Sequence, residues 1–185
     1  SRAVLLASED ETGTQQYYAL NPSDLMQSIR NNIIKDTEQL LPELQKVPTN
    51  IQSNLIWPLL NSNQVERRTL EIINQATTSI LVSLWPEELD WCEESLVDAE
   101  ARGVNIALVH FGEPSTKIGA TYHHPVQETL YAEKGGRGLT VVGDGGQVVI
   151  ANFQSNGEID GAWSKNKSFV TVAEDYVKHD VYITK

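Results

Sequence analysis

The chain contains little cysteine, few basic residues and no long apolar run. Cys92 is the one cysteine among 185 residues, so no internal disulfide can form, which is typical of a reducing compartment. No run approaches the roughly 20 apolar residues that span a bilayer, and no signal peptide opens the chain, so we expect a cytoplasmic protein without membrane contact. With 14 Lys and Arg against 25 Asp and Glu, the net charge of −11 disfavours nonspecific binding to nucleic acid.

The first part of the sequence predicts a hairpin followed by a long helix. Two β-prone runs, at residues 4–8 and 15–20, favour the hairpin. Asn21 as N-cap and Pro22 at the first helical position predict a helix that Pro42 should kink or end near Leu41. Apolar residues recur at spacings of three and four, as in a coiled-coil seam: Met26, Ile29, Ile33, Leu40 and Leu44. We predict a homodimer through this helix; the alternative is packing on the chain's own core.

The remaining residues predict an α/β domain. After a linker, a helix at 64–76 precedes a strand, a crossover helix and a second strand, which together form a βαβ unit with parallel pairing. The unit comprises a strand at 79–84, a helix from Pro86 to Gly103 and a strand at 104–111. Loops are predicted at 112–121 and 156–161. The other predicted elements are a short helix at 125–134, strands at 139–142 and 147–153, a helix at 168–178 and a closing strand at 181–184.

The segment RGLTVVGDGGQVVIANFQ, residues 137–154, resembles the catalytic hairpin of the phospholipase D superfamily. That hairpin carries H-x-K-x4-D, followed by G-S-x-N on the return strand. Aligning on Asp144 places Arg137 at the histidine and Leu139 at the lysine. The remaining motif positions are taken by Ala151, Asn152 and Gln154. Because arginine does not give up its proton and leucine carries no charge, the resemblance implies a fold kept for binding rather than catalysis.

The order of elements from Gln64 onward, with the ending AWSKNKSFVTVAEDYVKHDVYITK, resembles the TrmB family of transcriptional regulators. The segment QQYYALNPSDLMQSIRNNI is similar to a wing strand that runs into a dimerisation helix. The resemblance implies a phospholipase D-like mixed sheet flanked by helices, no cofactor, and DNA contact only through a helix-turn-helix that these residues lack. It assigns the segments as a wing-like hairpin remnant (1–20), a dimerisation helix (21–47), a linker (48–62) and an effector-sensing domain (63–185).

Polar side chains follow both strands of the βαβ unit, where ligands bind in open α/β sheets. We therefore predict that the strand-end residues point at one crevice that holds a small-molecule effector: Ser83, Trp85, Glu87, His110 and Glu113. In the vestigial catalytic pocket, Asn152 and Asn166 could hydrogen-bond a small polar ligand, and Asp144 is a further candidate. Trp85 could instead be a packing residue, and Glu87 and Glu88 a solvated first helical turn. Asp144 is also what a Gly-Asp-Gly-Gly hairpin turn demands.

Two other functions stay open. An active phosphodiesterase or nuclease would need His123 or His179 in place of the missing nucleophile, and a structural dimerisation module would bind no ligand. The adjacent pair His123 and His124 invites a metal hypothesis, but adjacent strand residues point apart and no ligand set of the usual spacing emerges, so we predict no metal. Cys92 is expected to be a small buried residue.

Overall fold

The computed structural model describes residues 5–9, 15–19, 21–46, 54–112, 116–124 and 135–184. The chain divides into two compact units, Ser1–Asn50 and Ile51–Lys185, and each is described by itself. The predicted helix at 125–134 lies outside the described residues. No helix within the described ranges has the length and apolar character needed to cross a membrane.

The first unit is an antiparallel hairpin and a long helix, as predicted. Strand β1 (Leu5–Glu9) pairs with β2 (Gln15–Ala19), and helix α1 covers Pro22–Gln45. The Asn21 side chain accepts a hydrogen bond from the Ser23 backbone N–H, so it caps the helix as the sequence indicates. A helix end near Leu41, one of the two predicted effects of Pro42, is wrong: Pro42 lies inside the helix, which ends at Gln45. Only one turn of the helix remains after Pro42. Proline cannot donate the backbone hydrogen bond to the preceding turn, and on this exposed helix water can bind the carbonyl oxygen left without a donor.

Helix α1 buries none of its residues within the chain. The predicted seam residues Met26, Ile33, Leu40 and Leu44 are 64%, 52%, 56% and 61% exposed, and Ile29 is half-buried. Within its own unit, the apolar stripe of α1 is therefore not covered.

The second unit is built on a seven-stranded mixed sheet with strand order β3-β9-β8-β7-β4-β5-β6. Strands β4, β5 and β6 run parallel, and the pairs β4–β7, β7–β8, β8–β9 and β9–β3 are antiparallel. The strands are β3 (Ile56–Leu59), β4 (Ser79–Leu84), β5 (Asn105–Phe111), β6 (Ala120–His124), β7 (Gly136–Gly143), β8 (Gln147–Gln154) and β9 (Ile159–Ser164). The helices are α2 (Ser62–Gln75), α3 (Pro86–Ala101) and α4 (Lys167–Ile183).

Helices cover both faces of this sheet. One face packs against α2 and α3 in the main core, where Ile80, Val82 and Leu84 of β4 meet Ile72 of α2 and Leu96 of α3. The opposite face carries a smaller cluster beneath α4, made by Val142, Val148, Val170 and Ala173. Because side chains alternate along a strand, each strand supplies both layers. The α/β class with a mixed sheet flanked by helices, predicted from the sequence, is confirmed.

The βαβ unit and the β7–β8 hairpin are confirmed, and four other predictions are wrong. The predicted linker at 48–62 contains β3, and the predicted loops at 112–121 and 156–161 contain the starts of β6 and β9. The predicted closing strand at 181–184 is mostly the last turn of α4. The missed strands are short, and β3 and β9 contain Pro, Asp or Gly, so their pairing with neighbours, rather than local preference, makes them strands. The β-branched end of α4 stays helical because Val177 and Asp180 are buried against the protein.

Candidate functional site

Asp144 ties the β7–β8 turn to the segment that leads into β4. Its two carboxylate oxygens accept hydrogen bonds from the backbone N–H groups of Thr77, Thr78 and Ser79, at 2.8–3.2 Å, and from both threonine hydroxyls, at 3.1 and 2.7 Å. Its own N–H donates to the Ser79 carbonyl at 2.9 Å. Asp144 has a φ of 51°, in the left-handed region that Asp tolerates in a tight turn. The side chain is therefore a structural anchor.

The ionisation of Asp144 follows from these contacts. Partial desolvation raises the pKa of this carboxyl, but hydrogen bonds from Ser79, Thr78 and Thr77 outweigh it and hold the pKa well below its ordinary value. Asp144 also lies at the start of β4, because Ile80 pairs with Gly143, whereas the predicted crevice lies at the end of β4. The geometry thus favours the turn interpretation of Asp144 and gives no support to its role in ligand binding.

Arg137, at the position of the superfamily histidine, is held by two acids at the start of α3. Its Nε donates to Glu88 Oε1 at 3.1 Å, and its Nη1 lies 3.5 Å from Glu87 Oε1. Glu88 is 1% exposed, and its second oxygen has no hydrogen-bond partner among the described residues. Burial raises the pKa of Glu88, and the adjacent Arg137 offsets part of that rise. The arrangement fixes Arg137 as a strut between β7 and α3.

The buried Glu88 carboxyl gives a pH-dependent prediction. Since its folded pKa lies above the ordinary value of 4.5, its stabilisation is complete below that value and is lost as the pH rises through the folded pKa. We expect Glu88→Gln to lie within about 1 kcal/mol of the parent at pH 7, because the change removes a buried charge and also its pairing with Arg137, which keeps Glu87 as a partner. Thermal unfolding between pH 7 and 5 should show the parent gaining stability relative to this variant.

Glu94→Gln, an exposed change on the same helix, is the control for this measurement. Its stability relative to the parent should not depend on pH over that range. A parent that loses stability relative to Glu88→Gln on acidification would contradict the prediction.

The four positions that a phospholipase D-type site would bring together lie on opposite faces of the hairpin. Arg137 pairs with Phe153 and Leu139 with Ala151, so these residues share one face. Leu139 is fully buried in the main core beside α2 and α3. Asn152 and Gln154 alternate with Ala151 and Phe153 and therefore lie on the other face. The aligned hairpin does not gather a catalytic set.

The predicted crevice is divided by the sheet in the same way. His110 pairs with Leu84 and shares its face toward α2 and α3, whereas Ser83 lies on the α4 face. The His110 Nδ1 lies 2.7 Å from the Gly112 carbonyl oxygen, and His110 is 1% exposed. The prediction that both strand ends contribute to one crevice is therefore wrong, because side chains at Ser83 and His110 leave the sheet in opposite directions.

The other predicted ligand residues serve packing and capping, or lie outside the described residues. The Trp85 ring is buried and stacks on Phe111 at 5.2 Å, and Phe111 contacts His124 at 4.7 Å. Asn166 caps α4 by accepting from the Phe169 N–H at 3.1 Å. Glu87 is exposed beside Arg137, and Glu113 lies outside the described residues. Cys92 is buried, as predicted, and burial raises the pKa of its thiol to about 12.

Ser83 and Asn152 do lie together, in a recess of about 620 Å³ between α4 and the sheet. We call it the α4 recess. Two rows of paired residues form its floor, and they are Ser83, Thr140, Ile150 and Ala162 in one row and Gly138, Asn152 and Asp160 in the next. One side of α4 forms its wall, with Phe169, Val172, Ala173 and Tyr176. Its volume falls within the range of ordinary small-molecule sites.

Small side chains create this recess. In the row nearer the Asp144 turn, Val142 and Val148 pair with each other and contact α4 directly. In the next rows the sheet residues facing α4 include Ser83, Ala162 and Gly138, whose small side chains do not fill the space between the sheet and the helix. The recess is thus a gap in an otherwise packed layer.

Sequence reasoning found two of the recess residues and missed the others. Asp160 was missed because the sequence predicts a loop at 156–161. The α4 residues were missed because the sequence predicts a helix there and no ligand site. A signal was present in the exposed apolar side chains of α4, since Val172 is 68% exposed and Tyr176 is 37% exposed. Among the described residues, no three His, Cys, Asp or Glu side chains gather as a metal site requires.

Comparison with known proteins gives one family and several distant relatives. The family described as "Transcriptional regulator TrmB, EBD N-terminal subdomain" matches residues 55–179. The chain is 23% identical over 172 residues to "Uncharacterized protein YrhO" of Bacillus subtilis (strain 168). That alignment covers 92% of this chain and 62% of YrhO, so the chain spans less than two thirds of this relative's length.

Three solved structures are similar to the chain. The archaeal chromatin protein TrmBL2, whose structure shows a mode of DNA binding, has a TM-score of 0.53 at 13% identity and covers 98% of this chain and 76% of its own. NucT from Helicobacter pylori has a TM-score of 0.52 at 11% identity, with 69% and 96% covered. Nuc from Salmonella typhimurium, a phospholipase D family member, has a TM-score of 0.44 at 16% identity, with 68% and 92% covered. TrmBL2 and NucT share the overall fold of this chain.

Proposed function

The chain belongs to the TrmB family of transcriptional regulators, and from this premise we propose that it is the effector-sensing and dimerisation region of such a regulator. A small molecule bound by the phospholipase D-like domain alters how two subunits present a DNA-binding domain that lies outside these residues. The observation that carries the proposal is the family match over 55–179, which names an effector-binding subdomain. The regulator acts in the cytoplasm.

The apolar stripe of α1 supports the dimeric part of this proposal. Met26, Leu40 and Leu44 are each more than half exposed in the single chain, and a helix with such a stripe gains stability when a second copy covers it. A symmetric dimer would hold two DNA-binding domains at a fixed separation, and that separation sets which paired half-sites can be bound.

The hairpin geometry supports an inactive site. Arg137 is paired with Glu88 and Glu87, Leu139 is buried, and Asn152 lies on the opposite face of the sheet. Phosphodiester transfer through a covalent intermediate needs a nucleophile and cations that converge on one phosphoryl group. An active phosphodiesterase, the alternative function, receives no support from this arrangement.

The effector mechanism is tested by coupling between the small molecule and DNA. Metabolites are first screened for those that raise the unfolding temperature of this chain. Each of these is then added to a DNA-binding assay of the full-length protein, with an operator selected from random duplexes. We expect at least one to change the DNA dissociation constant by roughly fivefold or more, the usual size of allosteric coupling. A ligand must bind one dimer arrangement better than the other to produce this shift.

The matching measurement is the ligand dissociation constant with and without operator, which must change by the same factor because coupling is reciprocal. If molecules that bind the chain leave the DNA affinity of the full-length protein unchanged, the sensor mechanism is rejected.

A further inference from the structure

The charge of the α4 recess has one sign. Asp160, at the rim, is the one ionisable acid among its described lining residues, and none of those residues is Lys, Arg or His. An anionic ligand would have no counter-charge there, whereas a cation would meet a carboxylate. The recess therefore favours a cationic ligand over an anionic one of the same shape.

Two hydroxyl groups are buried at the floor of the recess. Ser83 is 2% exposed and Thr140 is 6% exposed, and they pair across β4 and β7 so that both face the same space. Neither hydroxyl makes a hydrogen bond within the described part of the chain, and both residues line the recess, so both oxygens are available to a polar group of a ligand.

The walls of the recess supply apolar and aromatic surface. Phe169 and Tyr176 lie on the same side of α4, with Val172 and Ala173 between them. Aromatic faces attract organic cations and also pack against an apolar body. The recess thus combines an acid, free acceptors and an apolar wall.

Gly138 keeps the recess open without a structural reason of its own. A Cβ added there would meet no atom within 4 Å, and its φ is not in the left-handed region, so neither packing nor backbone conformation requires glycine. Gly136, two residues earlier, differs, because a Cβ there would lie 2.3 Å from the Phe153 carbonyl oxygen. Glycine inside a strand lowers the stability of the strand. At position 138, the need to leave space for a ligand explains why glycine is present.

We propose that the α4 recess binds a small organic amine, a cation with an apolar body, as the effector of the sensor region. The ammonium group lies beside Asp160, and the apolar body packs against Phe169 and Tyr176. This assignment rests on the proposed function for its regulatory meaning, although binding itself does not depend on DNA.

Three probes of one shape test the proposal: 2-phenylethylamine, 2-phenylethanol and phenylacetate. Each is titrated to about 10 mM into the isotope-labelled chain, a range suited to fragment-sized ligands, and backbone amide signals are followed by NMR. We expect the amine to shift the amides of Gly138, Thr140, Asn152 and Ala173. It should bind about fivefold tighter than the alcohol, as one exposed charge pair allows, and phenylacetate should not bind.

Two variants locate the interaction. Asp160→Asn should make the amine and the alcohol bind equally, whereas Asp175→Asn, an exposed charge change on α4 outside the recess, should leave their fivefold difference intact. Gly138→Val should abolish binding of the amine and the alcohol while the unfolding temperature is unchanged or higher, since a branched side chain suits a strand. Loss of binding together with a preserved fold separates a blocked site from a damaged protein.

Several outcomes would overturn the amine assignment. These are no binding by any probe, equal binding of phenylacetate, amide shifts confined to residues outside the recess, or binding that survives Gly138→Val. If the amine fails but another molecule couples to DNA, the sensor function stands without this site. If the amine binds the recess but does not change the DNA dissociation constant of the full-length protein, the binding site is supported and the sensor function is rejected.

Discussion

A chain carrying both Ile33→Asp and Leu40→Asp is expected to be a monomer under conditions in which the parent chain is a dimer. The two residues lie seven apart on α1, on one side of the helix, and both are more than half exposed. Burying an aliphatic side chain of this size contributes about 1.5–3 kcal/mol, and a two-fold dimer loses that contribution from both subunits. Light scattering coupled to size-exclusion chromatography measures the mass directly.

Asn32→Asp adds a charge to the same helix, outside the apolar stripe, and is the matched control. It should leave the dimer intact. Circular dichroism distinguishes loss of association from loss of the domain, because the sheet and its three helices belong to the other unit. A parent chain that is monomeric at high micromolar concentration, or a double variant that stays dimeric, would refute the assignment of α1 as the dimerisation helix.

Asp144→Ala is expected to reduce the free energy of unfolding by about 2–4 kcal/mol, which corresponds to roughly 10 °C in the unfolding temperature. The change removes every acceptor for Thr77, Thr78 and Ser79. It also places alanine at a φ of 51°, a conformation that costs Ala more than Asp. Urea denaturation followed by tryptophan fluorescence measures the loss.

Asp144→Asn separates the loss of hydrogen bonds from the backbone strain, because asparagine tolerates the same φ and keeps one acceptor oxygen. About half of the loss is expected. The carboxylate's stabilisation is present above its ordinary pKa and is lost as the pH falls below it, so the gap between parent and Asp144→Asn should narrow from about pH 5 toward pH 2. Asp144→Ala with parental stability would show that the anchor contributes nothing.

Elements with a local signal were predictable from the sequence. Asn21 and Pro22 mark the start of α1, and the apolar run of β4 and the Gly-rich turn at Asp144 mark the sheet centre. The strands that the sequence did not predict have no such signal: β9 contains Asp160 and Gly161, and β3 contains Pro58. They become strands because β8 and β9 offer unpaired edges, which is a tertiary cause and invisible to a local pattern.

The candidate site was less predictable than the fold for a related reason. Ligands in open α/β sheets lie beyond the strand ends, and the residues at these ends lie on both faces of the sheet. The sequence does not indicate which of the two faces has a recess. That choice depends on small residues such as Gly138 of β7 and Ala162 of β9, and both strands are distant in the sequence from β4. Residues that create empty space carry no chemical signature, so a search for charged and aromatic groups passes over them.

Asp144, the acid of the hairpin, fastens one stretch of main chain to another in this molecule. A side chain with that task is needed for the fold itself, whatever the domain binds. Finding such a carboxylate at this turn in a related sequence is therefore no evidence of turnover.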